Sequence, residues 1–148
     1  SFVHQNRIRQ AASSLGAATF CVEESVRYAR ERKPFGAELA RNQGIQFPIA
    51  RAYVQMTAAA LAVADAAAKF EAGQPCGTEA NMAKMVASEA SWFAADTCIQ
   101  THGGFGFAEE YDIERKFRET RLYQVAPIST NLILSHVGTH VLGMPKSF

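Results

Sequence analysis

Apolar residues recur along most of this chain at alternating steps of three and four, the spacing that lines up one face of an α-helix. Ile8, Ala12, Leu15, Thr19, Val22, Val26 and Ala29 keep that step and predict a long amphipathic helix over residues 6–32. A second helix begins near Asn42, where Ile45, Ile49, Ala52, Met56, Ala59, Val63, Ala66 and Phe70 continue the pattern until Gly73-Gln74-Pro75 stops it. Pro48 falls in its first two turns and bends it only locally. Thr78 reads as the N-cap of a third helix, running through Met82, Met85, Val86, Trp92, Phe93 and Ile99 to the Gly103-Gly104 pair. A short basic helix covers residues 113–121. The last helix starts around Pro127, because proline suits a first turn whose N–H groups lack partners, and it ends at Gly143. Nothing reads as a strand.

Long helices with short connections predict an all-α fold, an antiparallel up-down four-helix bundle with a short additional helix, as one domain over residues 1–148. Runs such as Ala58-Ala59-Ala60 and Ala66-Ala67-Ala68 suit close helix approach. The chain opens on Ser1 without an initiator Met, which marks it as a piece of a longer protein.

Composition narrows the function classes. The net charge is +1 with 20% charged residues, so no long-range field draws in nucleic acid or an anionic membrane. No uninterrupted apolar run approaches the ~20 residues that span a bilayer, and no signal peptide is visible, which predicts a cytoplasmic protein. Cys21, Cys76 and Cys98 lack C-x-x-C spacing and read as free thiols. His136 and His140 lie four apart, as metal ligands can, but no acidic or third ligand stands near them, so no metal is expected. The basic residues Arg115, Lys116, Arg118 and Arg121 are interleaved with Asp112, Glu114 and Glu119.

The loops carry the chemistry. Glu31-Arg32-Lys33-Pro34-Phe35-Gly36 leaves the first helix and is followed, seven residues after its glycine, by Gln43. Gln100-Thr101-His102-Gly103-Gly104-Phe105-Gly106-Phe107 ends the third helix with glycines that bring bare backbone to the surface. These two segments resemble the E-R-x-x-F-G, downstream Q, and Q-x-x-G-G-x-G-[FY] motifs of the acyl-CoA dehydrogenase family. Arg7 and the R-x-x-R-L-Y run at residues 118–123 extend the likeness over almost the whole chain.

The resemblance implies the C-terminal domain of an FAD-dependent enzyme that dehydrogenates acyl-CoA thioesters between the α and β carbons. An N-terminal helical domain and a middle β-domain would lie outside this segment. It also implies an electron-transfer flavoprotein or similar acceptor, and a homo-oligomer, tetramer or dimer. By the same resemblance, Arg32, Phe35 and Gln43 contact the FAD held mainly by a neighbouring subunit, and Gln100, Gly103 and Gly104 pack on its adenine half. A forked guanidinium suits a pyrophosphate. Ser129 and Asn131 fall where the family contacts its own subunit's FAD, in an altered motif. Taken alone, Arg32 would be a solvated helix end and Gly103-Gly104 a C-cap.

The family's catalytic glutamate is missing from both of its usual places, which here hold Pro127 and Asn6. Neither accepts a proton. Gln5, one substitution away from a glutamate, and His4, beside Arg7, are the nearest candidates by position. Two alternatives follow: a flavin monooxygenase or nitroalkane-oxidase-like reaction on the same scaffold, or a flavin or acyl-CoA-binding subunit without turnover.

Overall fold

The computed structural model describes residues 2–147, and among them there is no strand. Five α-helices follow in order: α1 (Phe2–Glu31), α2 (Gln43–Glu71), α3 (Gly77–His102), α4 (Ile113–Tyr123) and α5 (Thr130–His136). Helices α1, α2 and α3 run up, down and up, and α3 packs on both of the others. Helix α4 lies against α3 and α1, while α5 touches α3 lightly. Short 3₁₀ turns at Pro34–Gly36, Leu39–Arg41, Gly103–Phe107 and Glu109–Tyr111 make the connections at one end. The α2–α3 turn at the other end is clamped by Lys69, whose ammonium reaches Glu79 at 2.8 Å and Asp65 at 3.1 Å.

The predicted α2 stripe is the one that packs: Ile49, Ala52, Ala59, Val63 and Ala66 are buried. The α1 stripe is rotated from its predicted position. Ala12 and Val26 face solvent, and the buried ridge runs through Ala11, Ser14, Ala18, Cys21, Ser25 and Tyr28. Serine qualifies for this ridge because its hydroxyl is satisfied within the helix. Ser14 donates to the Gln10 carbonyl at 2.9 Å and Ser25 to that of Cys21 at 2.7 Å.

Helix α3 corrects the expectation further. Its large residues Met82 and Val86 are exposed, and its buried positions are Ala80, Ala83, Ala87, Ala90, Ala94, Ala95, Cys98 and small polar residues. A helix with neighbours on several sides must be slim, so its bulk goes outward. Its N-cap is Cys76, one residue before the helix, and not Thr78.

The last helix also starts later than Pro127. The Ala126–Pro127 peptide is cis, and Ser129 is the N-cap, its Oγ accepting from the Leu132 amide at 3.4 Å. The helix continues through a single π turn at Val137–Val141 instead of reaching Gly143 as α-helix. The reading that no segment could span a bilayer needs correction as well. Arg51, Gln55, Asp65 and Lys69 interrupt its apolar residues, yet an 18-residue window of α2 reaches a mean hydropathy of 1.2, so α2 is long and apolar enough by length and composition.

Candidate functional site

Arg32, Gln100, Gly103 and Gly104 come together at one end of the bundle. The end of α1, the 3₁₀ turns after it, the start of α2 and the end of α3 enclose a cleft of about 530 Å³ there. Tyr28, Pro34, Leu39, Ile45 and Phe105 supply its apolar walls. A second cavity of about 420 Å³, lined by Phe47, Arg51, Phe93 and Asp96, shares Ile45, Gln100 and Thr101 with the first, so the two form one continuous surface.

Local structure explains this convergence. The Leu39 amide donates to the Arg32 carbonyl at 2.8 Å, which folds the loop back over the helix end. Gly103 adopts φ 59°, a left-handed conformation that turns the chain sharply out of α3. Gly104 needs no such freedom, and a Cβ on it would meet no atom of this chain within 4 Å. What its missing side chain keeps clear is space outside the protein. Arg32 makes no ion pair among the described residues, so its guanidinium is available to an anion.

His102 lies under the cleft, 3% exposed, with its ring stacked on Tyr28 at 4.2 Å and edge-on to Tyr111 at 5.8 Å. Its Nδ1 is 2.8 Å from the Cys98 carbonyl and 3.7 Å from the Cys98 Sγ. Burial alone would lower the imidazole pKa, but these contacts with Cys98 hold it above its usual value. The Cys21 thiol is pushed far up by its hydrogen bond to Cys98 and by burial.

Two of the predicted residues near this end lie outside the cleft wall. Phe35 projects fully into solvent at φ 56°, and Gln43 is exposed at the first turn of α2, beside Gly44 and Ile45, which do line the paired cavities. Among the described residues nothing packs on Phe35. A positive φ is uncommon for a bulky side chain.

Ser129 and Asn131 belong elsewhere. They line a separate cavity of about 350 Å³ with Glu89, Arg121, Gln124, Val125 and Thr130. Glu89 was not singled out by sequence: it lies in the middle of α3, where no motif marks it. Arg121 was read as part of a basic face and of the R-x-x-R-L-Y run, without a site role. Lys84 was missed too: it is fully buried and donates to the Ile128 carbonyl at 2.6 Å.

The base candidates sit in the first turns of α1, about 36 Å along the helix from Tyr28 at 1.5 Å per residue over 24 residues. His4 packs against the start of α3, its Cε1 3.1 Å from where a Gly77 Cβ would be, with Nδ1 buried and unpartnered. Burial lowers its pKa, which favours the neutral ring. Asn6 Oδ1 accepts from Arg9 at 2.8 Å, Gln5 is exposed, and burial lowers the Arg7 pKa. Pro127 is held in the cis turn ahead of α5.

Residues 1–141 match the family model described as acyl-CoA dehydrogenase, C-terminal domain. The chain belongs to the acyl-CoA dehydrogenase family. It is 40% identical over 119 residues to the 3-(aryl)acrylate reductase of Clostridium sporogenes, covering 80% of this chain and 32% of that protein. It is 34% identical over 148 residues to acyl-CoA dehydrogenase FadE12 of Mycobacterium tuberculosis, covering 99% of this chain and 38% of that one. Among solved structures, butyryl-CoA dehydrogenase from Megasphaera elsdenii superimposes with a TM-score of 0.91 at 32% identity, over 94% of this chain and 36% of that chain. The chain therefore spans about a third of the length of the curated relatives it matches. As in those relatives, this segment is an all-α C-terminal domain, and the family consists of flavoproteins.

Proposed function

We propose that this domain completes the flavin site of an FAD-dependent oxidoreductase acting on the CH–CH bond of acyl-CoA thioesters. The observation that carries the reading is the cleft that unites Arg32, Gln100, Gly103 and Gly104, with open space in front of Gly104. These residues fit a dinucleotide. Arg32 offers a forked donor to a pyrophosphate, the glycine backbone admits a flat ring closely, and the Tyr28, Phe105 and His102 rings give an apolar floor. Phe35 and Gln43 flank this cleft and would meet the FAD of a neighbouring subunit from outside. Ser129 and Asn131, in their own cavity, would face the FAD of the same subunit.

When bound, FAD supplies the hydride acceptor. The chain's own residues would bind and orient it at two separate cavities. That separation supports a homo-oligomer in which each flavin is shared between subunits. The apolar groove of about 450 Å³ between α1 and α2, lined by Val26, Ile49, Tyr53 and Val54, supports it as well. The electron acceptor would be an electron-transfer flavoprotein or a similar protein.

Removal of the acyl α-proton needs a base, and Gln5, Asn6 and Pro127 cannot serve. That gap is the specific observation favouring a second reading: oxidase or monooxygenase chemistry, or ligand binding without turnover. Anaerobic titration of the full-length flavoprotein with a panel of acyl-CoAs decides between them. Bleaching of the visible flavin absorption by one chain class supports the dehydrogenase. Bleaching only in Gln5→Glu reveals an intact site that has lost its base. Absence of bleaching in both, with oxygen consumed on a nitro or aromatic substrate, overturns the dehydrogenase reading.

A further inference from the structure

Lys84 is the most deeply buried charged residue of the domain, with no exposed surface, and it forms no ion pair among the described residues. Its neighbours along the same side of α3 include Ala80, Ala87 and Ser88, all buried and small. Burying an ammonium without a counter-ion is unfavourable, and an aliphatic side chain of the same length would suit this packing better. Burial lowers the Lys84 pKa to about 8.

What the ammonium gains is one long-range contact. Nζ donates to the Ile128 carbonyl at 2.6 Å, across 44 residues of sequence. Ile128 lies in the turn between α4 and α5, between Pro127 and the N-cap Ser129. Few other bonds hold that turn: the Thr130 amide reaches the Gln124 carbonyl at 3.2 Å, and the Ser129 cap is long at 3.4 Å. Helix α5 adds only slight packing on α3. Two further side-chain oxygens, Asn81 Oδ1 and Thr130 Oγ1, are buried without a partner, so the bond from Lys84 is the side-chain tie from α3 to this turn.

The geometry points to Lys84 as a positioning residue that pins the Ile128 carbonyl and thereby sets the 128–131 rim of the cavity holding Ser129 and Asn131. The identity of the cavity's occupant rests on the flavin reading above; the pinning rests on this structure alone.

The test compares the full-length protein, as purified with its flavin, with its Lys84→Met and Lys84→Arg variants. Lys84→Met keeps the side-chain volume and removes the donor. Amide hydrogen exchange is expected to quicken by about tenfold or more at Thr130, Leu132 and Ile133, the size expected for losing a hydrogen bond from a charged donor. Protection of α1, α2 and α3 is expected to stay, flavin release followed by fluorescence to speed up, and Lys84→Arg to recover part of both. A uniform loss of protection over all helices, or none at 130–133, overturns the proposal. Should Lys84→Met not fold, Lys84→Leu, which also lacks a donor, carries the same comparison. If the native protein holds no flavin, the flavin reading fails and the exchange pattern alone decides whether Lys84 pins the turn.

Discussion

The charge buried at Lys84 makes a quantitative prediction about pH. Its pKa falls from the ordinary 10.5 to about 8 because the ammonium is desolvated. Between those values the unfolded chain binds more protons than the folded one, so stability rises with pH across that window. Below pH 8 the native state carries the full penalty, and above 10.5 none remains. A fall of this size corresponds to about 3 kcal/mol at most. Lys84→Met has no such titration, while every other group titrating in the window is shared by the two proteins. Urea unfolding of both at pH 7, 8, 9 and 10 gives the difference in unfolding free energy between native and Lys84→Met. That difference should move in favour of the native protein as pH rises above 8, by up to about 3 kcal/mol, and be constant below it. A flat difference from pH 7 to 10 would refute desolvation as the dominant influence on Nζ.

Glycine substitutions should separate packing from ligand space. A Cβ on Gly106 would lie 3.0 Å from the Ile99 carbonyl oxygen and 3.1 Å from its Cα, backbone atoms that cannot swing away, so Gly106→Ala should cost about 1–3 kcal/mol in thermal melts. Gly104→Ala should leave melting unchanged and weaken flavin binding, since its Cβ would enter only the open cleft. Phe35→Ala should alter stability by less than about 0.5 kcal/mol, because the ring is fully exposed, and lower flavin affinity measured by fluorescence. Cys21, Cys76 and Cys98 are all buried, so alkylation should proceed at the rate of opening of the bundle; rapid labelling of any of them by mass spectrometry in the folded protein would contradict the packing.

The helices were legible because their step pattern is long, and α2 packs on the stripe that its apolar residues predict. Helix α1 was less legible: its buried ridge includes Ser14 and Ser25, which a hydropathy scale counts as polar although their hydroxyls are satisfied by the helix itself. In α3 the signal inverted, since apolar size marks its outer face and smallness its core. The start of α5 was misplaced because Pro127 suits a first helical turn as well as it suits the turn before Ser129. The motif loops located Arg32, Gln100, Gly103 and Gly104 at one cleft, but spacing along the chain carried no sign that Phe35 points outward or that Ser129 and Asn131 open onto another cavity. Lys84 was passed over because a lysine within a helix ordinarily reaches solvent.

The alanine seam between the long helices makes the tolerance of this fold one-sided. In a core of leucine and phenylalanine, most substitutions remove volume and leave a hole. Here Ala18, Ala59, Ala66, Ala83, Ala87, Ala94 and Ala95 have little volume to lose, and most substitutions open to an alanine codon by one base change insert something larger, a proline or a charge. Such insertions drive neighbouring backbones apart, and a lever effect along a helix of this length carries the displacement from the seam to its ends. The seam and the two cavities are thus under one mechanical constraint: a residue that widens the middle of the bundle also misaligns the rims at which ligands would be held.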